Sequence, residues 1–388
     1  MNIPMINLKE QFRLVKKDIL KNIYEILSEQ KLILGKYCSL LEKTIADYVG
    51  VRHAITCANG TDALILSLMA LGIKEGDEVI TTPYTFFATA SSIALVGARP
   101  VFVDVKKDDL NIDPKLIING ITSRTKAIIV VHLFGKLCDM DEIVKIGKKN
   151  GIYIIEDMAQ SLGAQYAGKK AGSFGDIAAL SFYPTKNLGG IGEGGMVITD
   201  RDDLGEKVKK LRVHGMGMNT YHHEMIGINS RLDEIKAAAL FVKFPYLEEW
   251  NRKRQANARF YSEKLKDLPI TLPPVPDDGT HIFHHYVIKT QQRDDLQAFL
   301  KENGIQTGIY YPVPLHLQEC FKYLGYSEGS FPISEDAAKT SLALPIYPEL
   351  KKKEKEYIIK KIREFFTSQT KATRQEFIDK SRSILHNS

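Results

Sequence analysis

The sequence predicts an α/β fold with a mainly parallel central sheet, and three observations carry that prediction. Short apolar runs alternate with helical segments from Val51 to about Thr199. The runs are continuous rather than alternating, as strands are when helices cover both faces of a parallel sheet. They are rich in Val and Ile, and their spacing leaves room for a helix between successive strands.

The elements follow in order. An amphipathic helical stretch opens the chain, from about Lys9 to Val49. Glu78–Thr82, Pro100–Val105, Ala127–His132 and Ile152–Asp157 read as buried strands, and Ala63–Leu71 as a helix. Arg231 to about Leu268 reads as a long helix with a break near Pro245, which removes a backbone donor. The Pro-rich Leu272–Gly279 marks a loop between lobes. His285–Lys289 is strand-like, Arg293–Asn303 is helical, and Lys351–Phe366 is a last amphipathic helix. Thr367–Ser388 is an extra segment, and no internal repeat is visible.

With 388 residues, 44% hydrophobic and 26% charged, the composition is that of a globular protein. Disordered, collagen-like and disulfide-stapled classes are excluded. No run approaches the ~18 apolar residues of a membrane span. Met1–Leu8 lacks the basic flank and apolar core of a signal peptide, so a cytoplasmic protein without membrane contacts is expected. Cys38, Cys57, Cys138 and Cys320 show no metal-ligand spacing; they read as buried, reduced thiols, and no metal is expected. The net charge of +6 lies wholly in residues 351–388, where eleven Lys and Arg face five Asp and Glu. A nucleic-acid binder would carry that surplus on its body, so none is expected as a partner.

Gly190, Gly192 and Gly195 formally satisfy the dinucleotide fingerprint, which should open a helix. Met196–Thr199 follows instead, another strand, and that reading fails. Lys186 is the better centre. A lysine in a Pro/Gly-rich loop after an apolar strand is partly desolvated, which lowers its pKa and frees an amine for Schiff-base chemistry. Lone loop lysines are mostly surface charge, so partners are needed. Asp157 ends a strand at the edge where open α/β sheets bind ligands. There it could keep the pyridine nitrogen of pyridoxal phosphate protonated; a helix N-cap is an equally open reading. Asn59-Gly60-Thr61-Asp62 precedes a helix whose amides, with the Thr61 hydroxyl, suit a phosphate, or simply a capped helix. Ser181 adds a hydroxyl five residues before Lys186.

Asn59–Leu64, Tyr84–Thr89, Glu156–Ser161, Ser181–Gly195, Gly227–Glu234 and Tyr311–His316 together resemble the DegT/DnrJ/EryC1/StrS sugar aminotransferase family. The segments occur in the family's order and span about Ile6 to Phe366. The resemblance implies the pyridoxal phosphate-dependent transferase fold type I, similar to aspartate aminotransferase, and a homodimer with shared active sites. It implies a large cofactor-binding domain over 1–245, a small C-terminal α+β domain over 246–366 and an added tail over 367–388. Lys186 would bind the cofactor covalently and act as catalytic base and acid, and Asp157 would pair with the pyridine nitrogen. Phe86 would stack on the ring, Gln160 would lie near its hydroxyl, and Gly60, Thr61 and Ser181 would hold the phosphate. Asn229 would reach the phosphate from the other subunit. Dehydratase relatives carry histidine in place of Lys186. Glu193 departs mildly from the pattern, where Asp is common.

The implied reaction is transfer of an amino group from L-glutamate to a keto group of a nucleotide-linked sugar. Tyr221–Asn229 is similar to members acting on 3-keto sugars, and Tyr310-Tyr311 departs from the His-Tyr of uronate-handling relatives. Both point to C3 of a dTDP-linked 6-deoxyhexose. The alternatives are a C4 aminotransferase on a UDP- or GDP-4-keto sugar, a sugar dehydratase, or a regulator on the same fold. Tyr183, His223, Arg231, Tyr310, Tyr311 and His316 are the candidates for the substrate, with His222, His284 and His285 also available.

Overall fold

A computed structural model of the chain describes residues 1–217 and 219–368. Its strands are β1 (His53–Cys57), β2 (Glu78–Thr81), β3 (Arg99–Phe102), β4 (Thr125–Val131), β5 (Tyr153–Asp157), β6 (Gln165–Tyr166), β7 (Lys169–Lys170), β8 (Ile177–Ser181), β9 (Gly195–Thr199), β10 (Tyr286–Lys289) and β11 (Ser341–Leu344). Its helices are α1 (Leu8–Glu29), α2 (Lys36–Val49), α3 (Gly60–Ala70), α4 (Ala88–Leu95), α5 (Pro114–Ile117), α6 (Met140–Asn150), α7 (Asp202–Leu211), α8 (Glu234–Lys243), α9 (Leu247–Leu265), α10 (Arg293–Glu302) and α11 (Pro332–Thr340). A last helix, α12, covers residues 352–368.

Seven strands form the main sheet in the order β1-β9-β8-β5-β4-β2-β3. β9 runs antiparallel to both β1 and β8, and every other pairing is parallel. Six strands therefore share one direction and end at one edge. β2, β8 and β9 are buried throughout, which explains why each is apolar at its centre on both faces. On one face Leu64, Leu66 and Leu68 of α3 pack with Ile55, Ile129, Ala179 and Val197. Truncating such a leucine to alanine typically costs about 2–5 kcal/mol.

Helix boundaries follow local chemistry. Asn59 caps α3 by accepting the Asp62 N–H at 2.8 Å. α6 carries Asp141 and Glu142 in its first turn and Lys148 and Lys149 in its last, matching the helix dipole. The opening helical stretch is two helices rather than one, broken where Gln30 and Leu34 take positive φ before Gly35. At Pro245 the long helix narrows to a single 3₁₀ turn, Phe244–Tyr246, between α8 and α9. β10 and β11 form a separate antiparallel pair, over a cluster in which Tyr261, Ile288, Leu342 and Ile362 pack with Ile3. Of the predicted tail 367–388, residues 369–388 lie outside the described residues; Thr367 and Ser368 continue α12.

Cys38, Cys57 and Cys138 are buried and free, whereas Cys320, expected to be buried, is exposed. Among the described residues no helix is long and apolar enough to cross a membrane.

Candidate active site

The shared edge gathers the predicted residues because each lies at the end of a co-directional strand. Asp157 closes β5 and Ser181 closes β8, Asn59 follows β1, and Phe86 follows β2.

Asp157 is buried. Its Oδ2 accepts the Thr89 hydroxyl at 2.9 Å, and its Oδ1 accepts the Ala159 N–H at 3.2 Å. No helix begins after it, so the N-cap alternative reduces to that single turn bond. Burial raises its carboxyl above the ordinary aspartate value, against the Thr89 and Ala159 hydrogen bonds and the Lys186 charge.

Lys186 sits on the loop from β8 back to β9. The loop is closed by Phe182 N–H to Gly194 O at 2.8 Å and Gly190 N–H to Phe182 O at 2.7 Å. At Gly189 a Cβ would lie 2.1 Å from the Pro184 carbonyl oxygen, so only glycine fits. Asn187 donates to Asn251 Oδ1 at 2.7 Å and accepts from His284 Nδ1 at 3.0 Å. The buried Lys243 donates to the Gly189 carbonyl at 2.7 Å. With the loop so pinned, the half-buried Lys186 ammonium has neither hydrogen bond nor ion pair among the described residues. Burial lowers its pKa to about 8, with the Asp157 charge opposing. Burial likewise lowers Lys243 to about 8, but that amine is capped by a carbonyl, and Lys186 is not.

The start of α3 meets the end of β8 at Gly60, where a Cβ would lie 2.7 Å from Ser181 Cβ and 3.0 Å from its Oγ. The Gly60 and Thr61 amides and the Thr61 hydroxyl find no acceptor among the described residues. Orphan donors at a helix N-terminus beside a serine hydroxyl fit a phosphate group. A free lysine amine, a strand-end acid and this cradle on one edge fit pyridoxal phosphate.

Between these ends stand aromatic rings. Phe86 is 57% exposed, and its ring lies 6.0 Å from that of Tyr311. Gln160 Nε2 donates to Tyr311 Oη at 3.1 Å, and its Oε1 accepts the Phe134 N–H at 2.6 Å. Tyr310 stacks on His285 with centroids 4.1 Å apart, and Tyr84 donates to its carbonyl at 2.7 Å. Burial holds the His284 and His285 imidazoles well below the ordinary histidine range.

The remaining candidates are mostly exposed. Tyr183, His222 and His223 are exposed; His223 Nδ1 bonds the His214 carbonyl at 2.9 Å. Asn229 is exposed too, and its Oδ1 is held by Arg231 Nε at 3.0 Å. Ser230 between them fastens this segment beside α3, donating to Asp62 Oδ2 at 2.6 Å. His316 is a correction. It is enclosed between Phe331 and Glu335, bonded to Glu335 Oε1 at 3.0 Å, and offers no face to a ligand. A groove of about 890 Å³ between α9 and α12 contains none of the predicted site residues. Sequence reasoning gave no role to Thr89, Asn187 or Lys243, although Thr89 ends the Tyr84–Thr89 segment and Asn187 stands beside Lys186.

Fold and site define a pyridoxal phosphate enzyme of fold type I. The chain belongs to the DegT/DnrJ/EryC1/StrS aminotransferase family, whose model matches residues 14–363. The sugar aminotransferases of that family depend on pyridoxal phosphate. A pleiotropic regulatory protein of Geobacillus stearothermophilus is 50% identical, covering 94% of this chain and 99% of its own. A UDP-N-acetyl-3-dehydro-alpha-D-glucosamine 3-aminotransferase of Acidithiobacillus ferrooxidans is 44% identical over 91% and 95%. A dTDP-3-amino-3,6-dideoxy-alpha-D-galactopyranose transaminase of Aneurinibacillus thermoaerophilus is 41% identical over 94% and 99%. Among solved structures, Streptomyces venezuelae DesV in complex with ketimine intermediate superposes with a TM-score of 0.91, at 38% identity over 94% and 98%. The chain is a sugar aminotransferase.

Proposed function

We propose that the protein moves an amino group from L-glutamate to the C3 keto group of a nucleotide-linked sugar, a dTDP-linked 6-deoxyhexose first among them. The observation that carries this reading is the Lys186 amine on the loop after β8, without hydrogen bond or ion pair among the described residues, with the charge of the strand-end Asp157 acting on it. Support for carbon 3 comes from the two enzyme relatives, whose names both place the amine there.

When bound, pyridoxal phosphate supplies an electron sink and a temporary seat for the amino group. Lys186 Nζ takes the proton from the donor's Cα and returns it on the other side of the reaction as general base and acid. Asp157 holds the proton on the pyridine nitrogen. Gly60, Thr61 and Ser181 would hold the phosphate, Phe86 would stack on the ring, and Gln160 would serve its hydroxyl. Asn229, exposed and held by Arg231, would reach the phosphate of a partner subunit in a homodimer. Tyr183, Arg231, His223, Tyr310 and Tyr311 line the approach of the sugar nucleotide.

A dehydratase reading is opposed by the lysine at 186. A regulatory reading is favoured by the name of the Geobacillus relative. The decisive assay offers 3-keto and 4-keto dTDP- and UDP-sugars with glutamate and locates the new amine by NMR. Amination at C4 alone overturns the carbon assignment. Failure of the purified chain to take up pyridoxal phosphate favours the regulator.

A further inference from the structure

We propose that Thr89 is a positioning residue for the cofactor's pyridine ring: its hydroxyl holds the Asp157 carboxylate and, through Thr85, ties it to the turn that carries Phe86. The inference rests on the reading of Asp157 and Phe86 as ring contacts, and it adds two residues that reading does not use.

Thr85, Thr89 and Asp157 are all buried. Thr89 Oγ1 lies 2.9 Å from Asp157 Oδ2 and 3.1 Å from Thr85 Oγ1. A hydroxyl has one proton to give, and a carboxylate can only accept. With Asp157 ionised, Thr89 must point its proton at Oδ2, and its oxygen is then free only to accept from Thr85. The order is therefore fixed as Thr85 to Thr89 to Asp157. The Thr89 hydrogen bond works to keep the carboxyl ionised, against the burial that raises it.

Among the described residues the carboxylate receives two donors, Thr89 and the Ala159 amide. An ionised carboxylate offers about four acceptor sites, so room remains for the ring proton. The same threonines bracket Phe86: the Thr89 N–H donates to the Phe86 carbonyl at 3.2 Å, at the start of α4. One hydroxyl pair thus sets the carboxylate and the stacking ring relative to each other before any ligand arrives. Removing a donor from a buried charged acceptor weakens what depends on that acceptor by about tenfold or more.

The test uses Thr89→Val, which keeps the shape and loses the hydroxyl, and Thr89→Ser, which keeps the hydroxyl. Each is made alone and with Asp157→Asn. Pyridoxal phosphate affinity is measured by equilibrium dialysis, and the cofactor's visible absorbance is titrated against pH. Melting of the cofactor-free chains checks the fold. Thr89→Val should weaken cofactor affinity about tenfold and move the absorbance midpoint, Thr89→Ser should stay within about twofold of wild type, and Thr89→Val should add nothing in the Asp157→Asn background. Unchanged affinity in Thr89→Val, or an equal loss in both backgrounds, overturns the inference while leaving the functional reading intact. If Thr89→Val does not fold, Thr85→Val decides: about threefold weaker binding supports the chain of hydroxyls, and none overturns it. Absence of cofactor uptake by the wild-type protein overturns the functional reading, and this inference with it.

Discussion

Glu156 and Asp157 are consecutive residues of one strand, and alternation sends their carboxylates to opposite faces of the sheet. Glu156 lies behind. Its oxygens accept from the Gly172, Phe174 and Gly175 amides at 2.7–2.8 Å and from His132 Nε2 at 2.9 Å. Burial works to raise its carboxyl, and the His132 and backbone hydrogen bonds outweigh it, leaving the group below the ordinary glutamate value. Asp157 lies in front with two donors, and there burial prevails. A carboxylate whose lone pairs are all taken fastens a loop to a sheet. One left partly unsatisfied at a strand end is available to a ligand.

The sharpest break is at the amine both readings converge on. Lys186→Ala should abolish turnover and the cofactor's visible absorbance together, measured by glutamate-dependent amination and by spectrophotometry. Retained turnover would remove the lysine from the mechanism. Next, the two acids should fail in different ways. Asp157→Asn should lower kcat/KM by about a thousandfold with little change in melting temperature. Glu156→Ala should instead cost about 3–5 kcal/mol of stability in denaturant titration, because it strands His132 and three amides. Exchange of those phenotypes would invert the comparison.

A smaller effect concerns pH. Burial lowers the folded pKa of Lys186, so its neutral fraction rises as pH climbs through about 8. Covalent capture of the aldehyde by cofactor-free protein should rise with a midpoint near that value. At pH 7.5 the neutral fraction should exceed that of an ordinary lysine by roughly two-hundredfold. Between pH 8 and 10.5 the unfolded chain binds more protons at this site, so Lys186 adds stability to the cofactor-free fold as pH rises across that window. A capture midpoint near 10 would mean the amine is solvated. The smallest effect belongs to His316. His316→Ala should leave the KM for the sugar nucleotide within about twofold while lowering the melting temperature, since its buried ring is packed against Phe331 and bonded to Glu335.

Much of this was legible in the chain. The parallel strands were readable because burial on both faces leaves continuous Val and Ile runs, and Asp157 because it ends one of them. The reversal of β9 was not, since Met196–Thr199 is as apolar as its parallel neighbours and nothing local records direction. His316 was misread because a Tyr-Pro-rich segment gives no sign that Glu335, nineteen residues on, closes over the ring. The roles of Thr89 and Lys243 were hidden for the same reason: their partners, Asp157 and Gly189, are 68 and 54 residues away.

The strand order also sets a timetable for synthesis. Among the described residues β1 is the first strand the ribosome delivers, and its one neighbour in the sheet is β9, made some 140 residues later. Until residues 195–199 emerge, β1 has an unpaired edge and the lysine-bearing hairpin has no outer wall. A nascent chain halted before that point lacks the pairing that brings Asn59 and Gly195 together. Closure over so long a separation is slow.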